Sequence, residues 1–257
     1  MSIDHIVHCQ SVGQGEDLVL IHGWAVSLAI WHPIVKRLSK HFRLHLINLP
    51  GFGESEMITP YTLDTLVATI LKAVPNKAIW CGWSLGELVA THAAYLHPDK
   101  VVKLIQVCST MKFVSAHDWH GLESDVFERF KIEIEQNPKK TLIRFINLQA
   151  SGNCSTKKDI LLIKKQLFNE KIASKNALLA GLLLLNDTDL HLEFSTISQS
   201  CLSIFGRFDS LVPVGISEAT QQLLPDSQQL IFERSSHTPF ITEPDGFCDA
   251  VIEFALT

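Results

Sequence analysis

No basic segment followed by an apolar stretch opens this chain. It begins MSIDHIVHCQ, and the expectation is a protein without an export signal. No hydrophobic run is long enough to cross a bilayer: the longest, ALLAGLLLL at residues 177–185, falls well short of the roughly 20 residues a crossing needs. The six cysteines, at 9, 81, 108, 154, 201 and 248, form no C-x-x-C pair, which removes the common zinc and redox motifs. Cys81, Cys108 and Cys201 sit in apolar, strand-like runs and read as buried thiols, so a reducing, cytoplasmic location is expected. Internal repeats and low-complexity tracts are missing too. A formal net charge of −5 argues against general nucleic-acid binding, and 19% charged residues are few for a disordered chain.

What is present is an alternation. HIVHCQ, LVLIHGW and FRLHLINLPG read as early strands, separated by the turn GQGED. In YTLDTLVATILKAVP, Leu63, Leu66, Val67, Ile70, Leu71 and Val74 share one helical face, with Thr62 as N-cap and Pro75 beyond the end. KAIWCGW is apolar on both faces, as a central parallel strand is. A helical pattern follows it, then a strand at VVKLIQVCS. Strand, helix and strand repeating in this way predict an α/β fold: a mostly parallel sheet with helices on both faces. From residue 111 to 185 the alternation stops in favour of amphipathic helices, and strands return at CLSIFG and QQLIFE. The expected organisation is a core of residues 1–110 and 186–257 interrupted by a helical insertion, 111–185.

CGWSLGE, residues 81–87, places Ser84 between Gly82 and Gly86 where a strand gives way to a helix. G-x-S-x-G alone is a weak signal, and an ordinary tight turn is the plain alternative. In context, small flanking residues permit a strained corner that holds the hydroxyl out at the start of a helix, whose free N–H groups and dipole face developing negative charge. A serine needs a base, and the base an acid to hold its tautomer. His237, in ERSSHTPF, follows the last strand, and Asp209, in FGRFDSLVP, follows the strand before it. Taken singly, Asp209 reads equally as a turn former and His237 as a packing histidine. Together, at the carboxyl ends of parallel strands and in the order Ser84, Asp209, His237, they match one serine-hydrolase arrangement. The N–H groups of Trp24, after His22-Gly23, and of Leu85 are the candidate oxyanion donors, while the Trp24 ring serves equally for packing.

These segments, with LPGFGES and HPDKVVKLIQV, resemble the α/β-hydrolase superfamily along the whole chain. More narrowly, IWCGWSLG, the HGW loop, RFINLQ and HTPFITEPDGFC resemble the pimeloyl-acyl carrier protein methyl ester esterase family of biotin biosynthesis. The resemblance implies a nucleophile at Ser84, an acid at Asp209 and a base at His237, acting without metal or organic cofactor. It implies substrate contacts from Trp24, Ser84, Leu85, His237 and two residues of a lid, Phe145 and Gln149. Glu87 departs from the pattern, which usually has a second glycine there.

Residues 137–175 carry nine Lys or Arg against two acids, leaving thirteen basic and twenty-five acidic residues elsewhere. Solvated helix faces are the plain reading of such a run. The resemblance implies instead that Lys140, Arg144 and Lys157 dock an acidic acyl carrier protein, with Leu161 where a further basic contact can occur. The expectation is thus a monomeric serine esterase acting on a carrier-bound methyl ester. A broad esterase for short acyl esters and a non-catalytic ligand-binding protein with a hydrolase pocket are the rival readings.

Overall fold

Residues 7–149, 160, 161, 163–165 and 173–257 are described by the structure, a computed structural model. Among the described residues seven strands form one sheet: β1 (Cys9–Gly13), β2 (Glu16–Ile21), β3 (Phe42–Ile47), β4 (Ala78–Trp83), β5 (Val101–Val107), β6 (Ser200–Gly206) and β7 (Gln228–Phe232). Their spatial order is β1-β3-β2-β4-β5-β6-β7, and only β1 runs antiparallel to its neighbour. Leu20, Cys81, Ile105 and Leu202 pair in one continuous row across β2, β4, β5 and β6. All six residues of β4 are buried, because helices cover both faces of a parallel sheet.

The chain moves from β2 outward to β3, then returns past β2 to lay down β4. The order therefore reverses between β2 and β4, the position where open α/β sheets form a crevice beyond the strand ends. The loops that follow these two strands carry Trp24 and Ser84.

Two elements differ from the sequence expectation. Among the described residues the first strand is Cys9–Gly13, which takes only the end of the HIVHCQ run, whose His5 and Ile6 lie outside the described residues, and pairs with β3 from Cys9 opposite Ile47 to Gly13 opposite Arg43. Helix α2 (Leu63–Ile70) begins at the Thr62 cap, closed by a reciprocal Thr62–Thr65 capping box, but stops before Leu71 and Val74. Its continuation tightens into i→i+3 bonds, Lys72 N–H to Thr69 O and Ala73 N–H to Ile70 O. Pro75 disfavours helical geometry at the residue before it, so the last turn cannot stay α.

Helix α1 (His32–Leu38) precedes β3, and α3 (Leu85–Leu96) follows β4 directly. Between β5 and β6 lie α4 (Ser124–Gln136), α5 (Pro138–Gln149), α6 (Lys175–Asp187) and α7 (His191–Thr196). Helix α4 packs on both α5 and α6. Leu190 N–H donates to Met111 O at 3.0 Å, so the chain comes back to where it left the sheet. Helices α8 (Ile216–Leu223), α9 (Pro239–Thr242) and α10 (Pro244–Leu256) complete the fold. Among the described residues no helix is long and apolar enough to cross a membrane.

Helix α3 rests on β4 through a missing side chain. A Cβ on Gly82 would lie 2.4 Å from Glu87 Cα and 2.5 Å from Gly86 O, backbone atoms that cannot swing aside. Gly82→Ala is expected to cost about 3 kcal/mol in urea unfolding, the upper part of the range for overpacking. Gly215→Ala is the control: its φ of −58° suits alanine and its nearest neighbour is 3.9 Å away, so stability should hold or rise by up to about 1 kcal/mol.

Candidate active site

Ser84 joins β4 to α3 with φ 54° and ψ −120°, a region that non-glycine residues avoid and that costs on the order of 1–3 kcal/mol. Its surroundings hold it there. The Ser84 N–H donates to Val107 O at 3.1 Å, and its carbonyl accepts from Glu87 N–H at 3.0 Å and from Ser109 Oγ at 3.1 Å. Gly86 permits the helix start to approach β2: a Cβ there would stand 2.4 Å from Ile21 O. Leu85 opens α3, and the first N–H groups of a helix have no acceptor within it.

The loop after β2 is fixed by a histidine of settled tautomer. His22 Nδ1–H donates to Gly23 O at 2.7 Å, and Leu49 N–H donates to Nε2 at 3.0 Å. Burial pushes its pKa down to about 4, only partly offset by the Gly23 bond, so the ring stays neutral and both bonds persist. A Cβ on Gly23 would meet Trp83 Cε3 at 2.9 Å and Ser84 Cβ at 3.1 Å, which brings this loop against the serine corner. Trp24, fully buried, donates from Nε1 to Leu178 O at 2.8 Å and meets the Phe145 ring edge to face at 4.7 Å. A Cβ on Gly181 would lie 2.7 Å from Trp24 Cδ1 and 3.3 Å from Leu85 Cδ2. Helix α6 thus lies on the side chains of both residues, a contact that nothing in the apolar run ALLAGLLLL reveals.

Asp209 and His237, 28 residues apart, meet in the interior. His237 Nδ1–H donates to Asp209 Oδ2 at 2.7 Å, and Oδ1 accepts the N–H groups of Leu211 (2.8 Å) and Val212 (3.0 Å). Both side chains are almost wholly buried. With its proton on Nδ1, the imidazole presents the Nε2 lone pair, and that buried atom has no hydrogen-bond partner. The structure therefore holds no Ser84–His237 hydrogen bond, a contact that often tightens only around substrate. The histidine loop is tied at its backbone: Trp83 Nε1–H donates to His237 O at 2.8 Å, and His237 N–H to Gln149 O at 3.3 Å. Trp83 and Leu178 are contributors that the sequence reading did not single out.

Cys108 lies beside this pair, and its possible ligand atom is within 4.8 Å of those of Asp209 and His237. Burial and the neighbouring Asp209 charge hold the thiol well above its ordinary pKa. With Asp209 occupied by two amides and an imidazole N–H, and the thiol protonated, the cluster is arranged around a proton rather than a cation.

Ser84 opens onto an apolar cavity whose walls include Phe113, Phe127, Phe130, Phe145, Leu182 and Leu211. Its free space is about 20 Å³, room for roughly one water. Gln149 is buried at the end of α5, and neither its amide oxygen nor its nitrogen has a partner. On the outer side of α5, Lys140 and Arg144 line a polar depression with Glu133. Arg144 pairs with Glu133 and lies over the Phe130 ring, 5.4 Å from its centre, so its charge is shared within the chain. Leu161 is exposed. Lys157 lies outside the described residues.

A second serine, histidine and aspartate also line up: Ser11 Oγ is 2.9 Å from His45 Nδ1, and His45 Nε2 is 2.6 Å from Asp17 Oδ1. Ser11 stands in mid-strand directly opposite His45, with exposed neighbours and no helix start beside it. That is a cross-strand polar pair without oxyanion donors.

A model of the alpha/beta hydrolase fold family matches residues 18–244. The pimeloyl-[acyl-carrier protein] methyl ester esterase of Vibrio vulnificus strain CMCP6 is 41% identical over 255 residues, 99% of each chain. Its counterpart from Vibrio cholerae is 40% identical over 249 residues, covering 97% of this chain and 98% of that one. The chain belongs to this esterase family of the α/β hydrolase fold. An esterase from Exiguobacterium antarcticum superposes with a TM-score of 0.89 at 20% identity, covering 99% and 97% of the two chains, a likeness of fold.

Within that frame Glu87 stands out. Its carboxyl is fully buried behind the Ser84 corner, and burial raises its pKa from 4.5 to about 7 against the opposing hydrogen bonds of Thr91 and Gln106. A carboxyl with a raised folded pKa contributes its full stability below the unfolded value and loses it as pH climbs through the folded one. Stability should therefore decline between pH 4.5 and about 7, by roughly 3 kcal/mol from this group. Urea unfolding of wild type and Glu87→Gln across pH 4.5–8 should show that decline in the wild type and a shallower one in the variant.

Proposed function

We propose that the protein hydrolyses the methyl ester of a pimeloyl group carried by acyl carrier protein, with Ser84 as nucleophile, His237 as general base and acid, and Asp209 as its orienter. The observation that carries this reading is the His237 imidazole, held by Asp209 through Nδ1 and left with a buried, unpartnered Nε2. The names of the Vibrio relatives supply the substrate.

In this mechanism Nε2 takes the Ser84 proton as Oγ attacks the ester carbonyl, and Asp209 stabilises the imidazolium that forms. The Trp24 and Leu85 N–H groups receive the oxyanion, each such donor being worth about 3 kcal/mol. The imidazolium returns its proton to departing methoxide and methanol leaves. A water deprotonated by the same nitrogen then attacks the acyl-serine, releasing the free carboxylate and restoring Ser84. The apolar walls suit the methylenes of the acyl chain, and the unpartnered Gln149 amide, one turn beyond Phe145 on α5, is a donor–acceptor pair available to a polar group on the substrate. A cavity with room for one water cannot hold that chain, so α4, α5 and α6 act as a lid whose side chains part when it enters.

Lys140 and Arg144, on the outer face of α5, are the described members of the carrier-docking surface, with Lys157 assigned to it on sequence alone. A single-chain enzyme in the cytoplasm accords with this substrate and with the free thiols of Cys81, Cys108, Cys201 and Cys248.

Methanol release from the carrier-bound methyl ester, followed by mass spectrometry, tests the reading. Ser84→Ala should lower the rate at least about 10⁴-fold. Lys140→Glu should raise KM for the carrier-bound ester about fivefold at low salt, leave kcat within twofold, and leave 4-nitrophenyl butyrate hydrolysis unaltered. Equal turnover of carrier-bound and free methyl pimelate would favour the broad esterase. An Lys140→Glu enzyme with unchanged KM would remove the docking surface.

A further inference from the structure

The mechanism above does not use Glu87, yet no other buried carboxyl lies so near the nucleophile along the chain. Its backbone N–H donates to the Ser84 carbonyl at 3.0 Å. Its side chain turns inward, where Oε1 accepts from Thr91 Oγ1 one turn along α3 and from Gln106 Nε2 on β5 at 2.6 Å. Gln106 Nε2 also reaches Thr91 Oγ1 at 3.3 Å, and Gln106 Oε1 accepts from Ser203 Oγ on β6 at 2.7 Å. Thr91, Gln106 and Ser203 are all buried, so water cannot substitute for a lost member of this chain. Ser109, whose hydroxyl donates to the Ser84 carbonyl, faces the same carboxyl.

We propose that Glu87 is a positioning residue for the nucleophile: its side chain ties the first turn of α3 to β5 and β6 and so holds the strained Ser84 corner and the Leu85 N–H in working geometry. This rests on the assignment of Ser84 as nucleophile, not on the identity of the acyl group. The physical need is plain. Ser84 occupies a costly backbone conformation that lasts only where its neighbours over-determine it. With Gly82 and Gly86 contributing no side chain, the first inward-reaching polar anchor after the serine is Glu87.

The anchor also has a protonation state to keep. Oε2 is buried without a partner, tolerable for a neutral carboxyl and costly for an ionised one. The groups facing it are Thr91 on its own helix, Gln106 and Ser109 along and after β5, and the Cys201 thiol on β6, whose own pKa is raised chiefly by burial and further by Glu87. None of these is basic. The Thr91 and Gln106 hydrogen bonds and the helix start favour the ionised form but do not outweigh burial, so ionisation leaves a charge on the unpartnered Oε2 beside the serine corner and perturbs that corner.

The test uses the intact enzyme and 4-nitrophenyl butyrate, an activated ester that needs the serine but no carrier, with kcat normalised to sites titrated by a fluorophosphonate. Glu87→Ala should lower kcat at least tenfold while KM stays within twofold, because the substrate's walls are untouched. Glu87→Gln keeps the acceptor and adds a donor. It should restore kcat to within threefold of wild type at pH 6, and the wild-type to Glu87→Gln ratio should fall about fivefold between pH 6 and 8.5, with a midpoint near 7. Taking the ratio cancels any pH dependence that the two enzymes share. Should Glu87→Ala fail to fold, Thr91→Val and Gln106→Leu each remove one link and should lower kcat severalfold. Loss of thermal stability with kcat intact, or a ratio flat in pH, would overturn the proposal. Residual hydrolysis by Ser84→Ala would instead count against the triad itself, and failure on carrier-bound ester alone would count only against the substrate.

Discussion

Everything at this site depends on keeping one residue in a backbone conformation it would not choose. Ser84 keeps its φ of 54° only because β4 and α3 are pressed together around it. That pressure is possible because Gly82 and Gly86 have no side chains where α3 crosses β4 and where its first turn meets the end of β2. The corner's cost is a few kcal/mol, a large share of the stability of an ordinary domain, so the restraints around it are many: an amide to β5, two donors on its carbonyl, and the buried polar chain through Glu87.

The helices between β5 and β6 are coupled to this corner rather than merely laid over it. Leu178 on α6 takes the indole N–H of Trp24, Gln149 on α5 takes the backbone N–H of His237, and Phe145 meets the Trp24 ring. Movement of α5 or α6 must therefore disturb the loops that carry Trp24 and His237.

Much of this was legible in the sequence, for identifiable reasons. Parallel strands buried on both faces leave continuous apolar runs, so KAIWCGW announces β4, and glycines spaced around a serine mark a close strand–helix approach. Loops that end parallel strands converge, which is why Asp209 and His237, far apart in sequence, share a hydrogen bond. Other features left no local trace. The Arg144–Glu133 pair is a contact between adjacent helices, set by how α4 and α5 cross, and it tempers a patch that composition alone reads as wholly basic. The shortening of α2 came from the reach of Pro75 back into the preceding turn. The burial of Glu87 was hidden because a carboxylate in the first turn of a helix ordinarily faces solvent and the dipole, and only the position of Gln106 on β5 and Ser203 on β6 draws it inward.

Ser84 owes its reactivity to the folded corner and to the His237–Asp209 pair that the fold brings to it. Fluorophosphonate labelling followed by peptide mapping tests this. The folded protein should take up about one equivalent, all of it on Ser84, and lose that reactivity in urea. Adducts on Ser11 or another serine, or a Ser84 that labels no faster folded than unfolded, would contradict it.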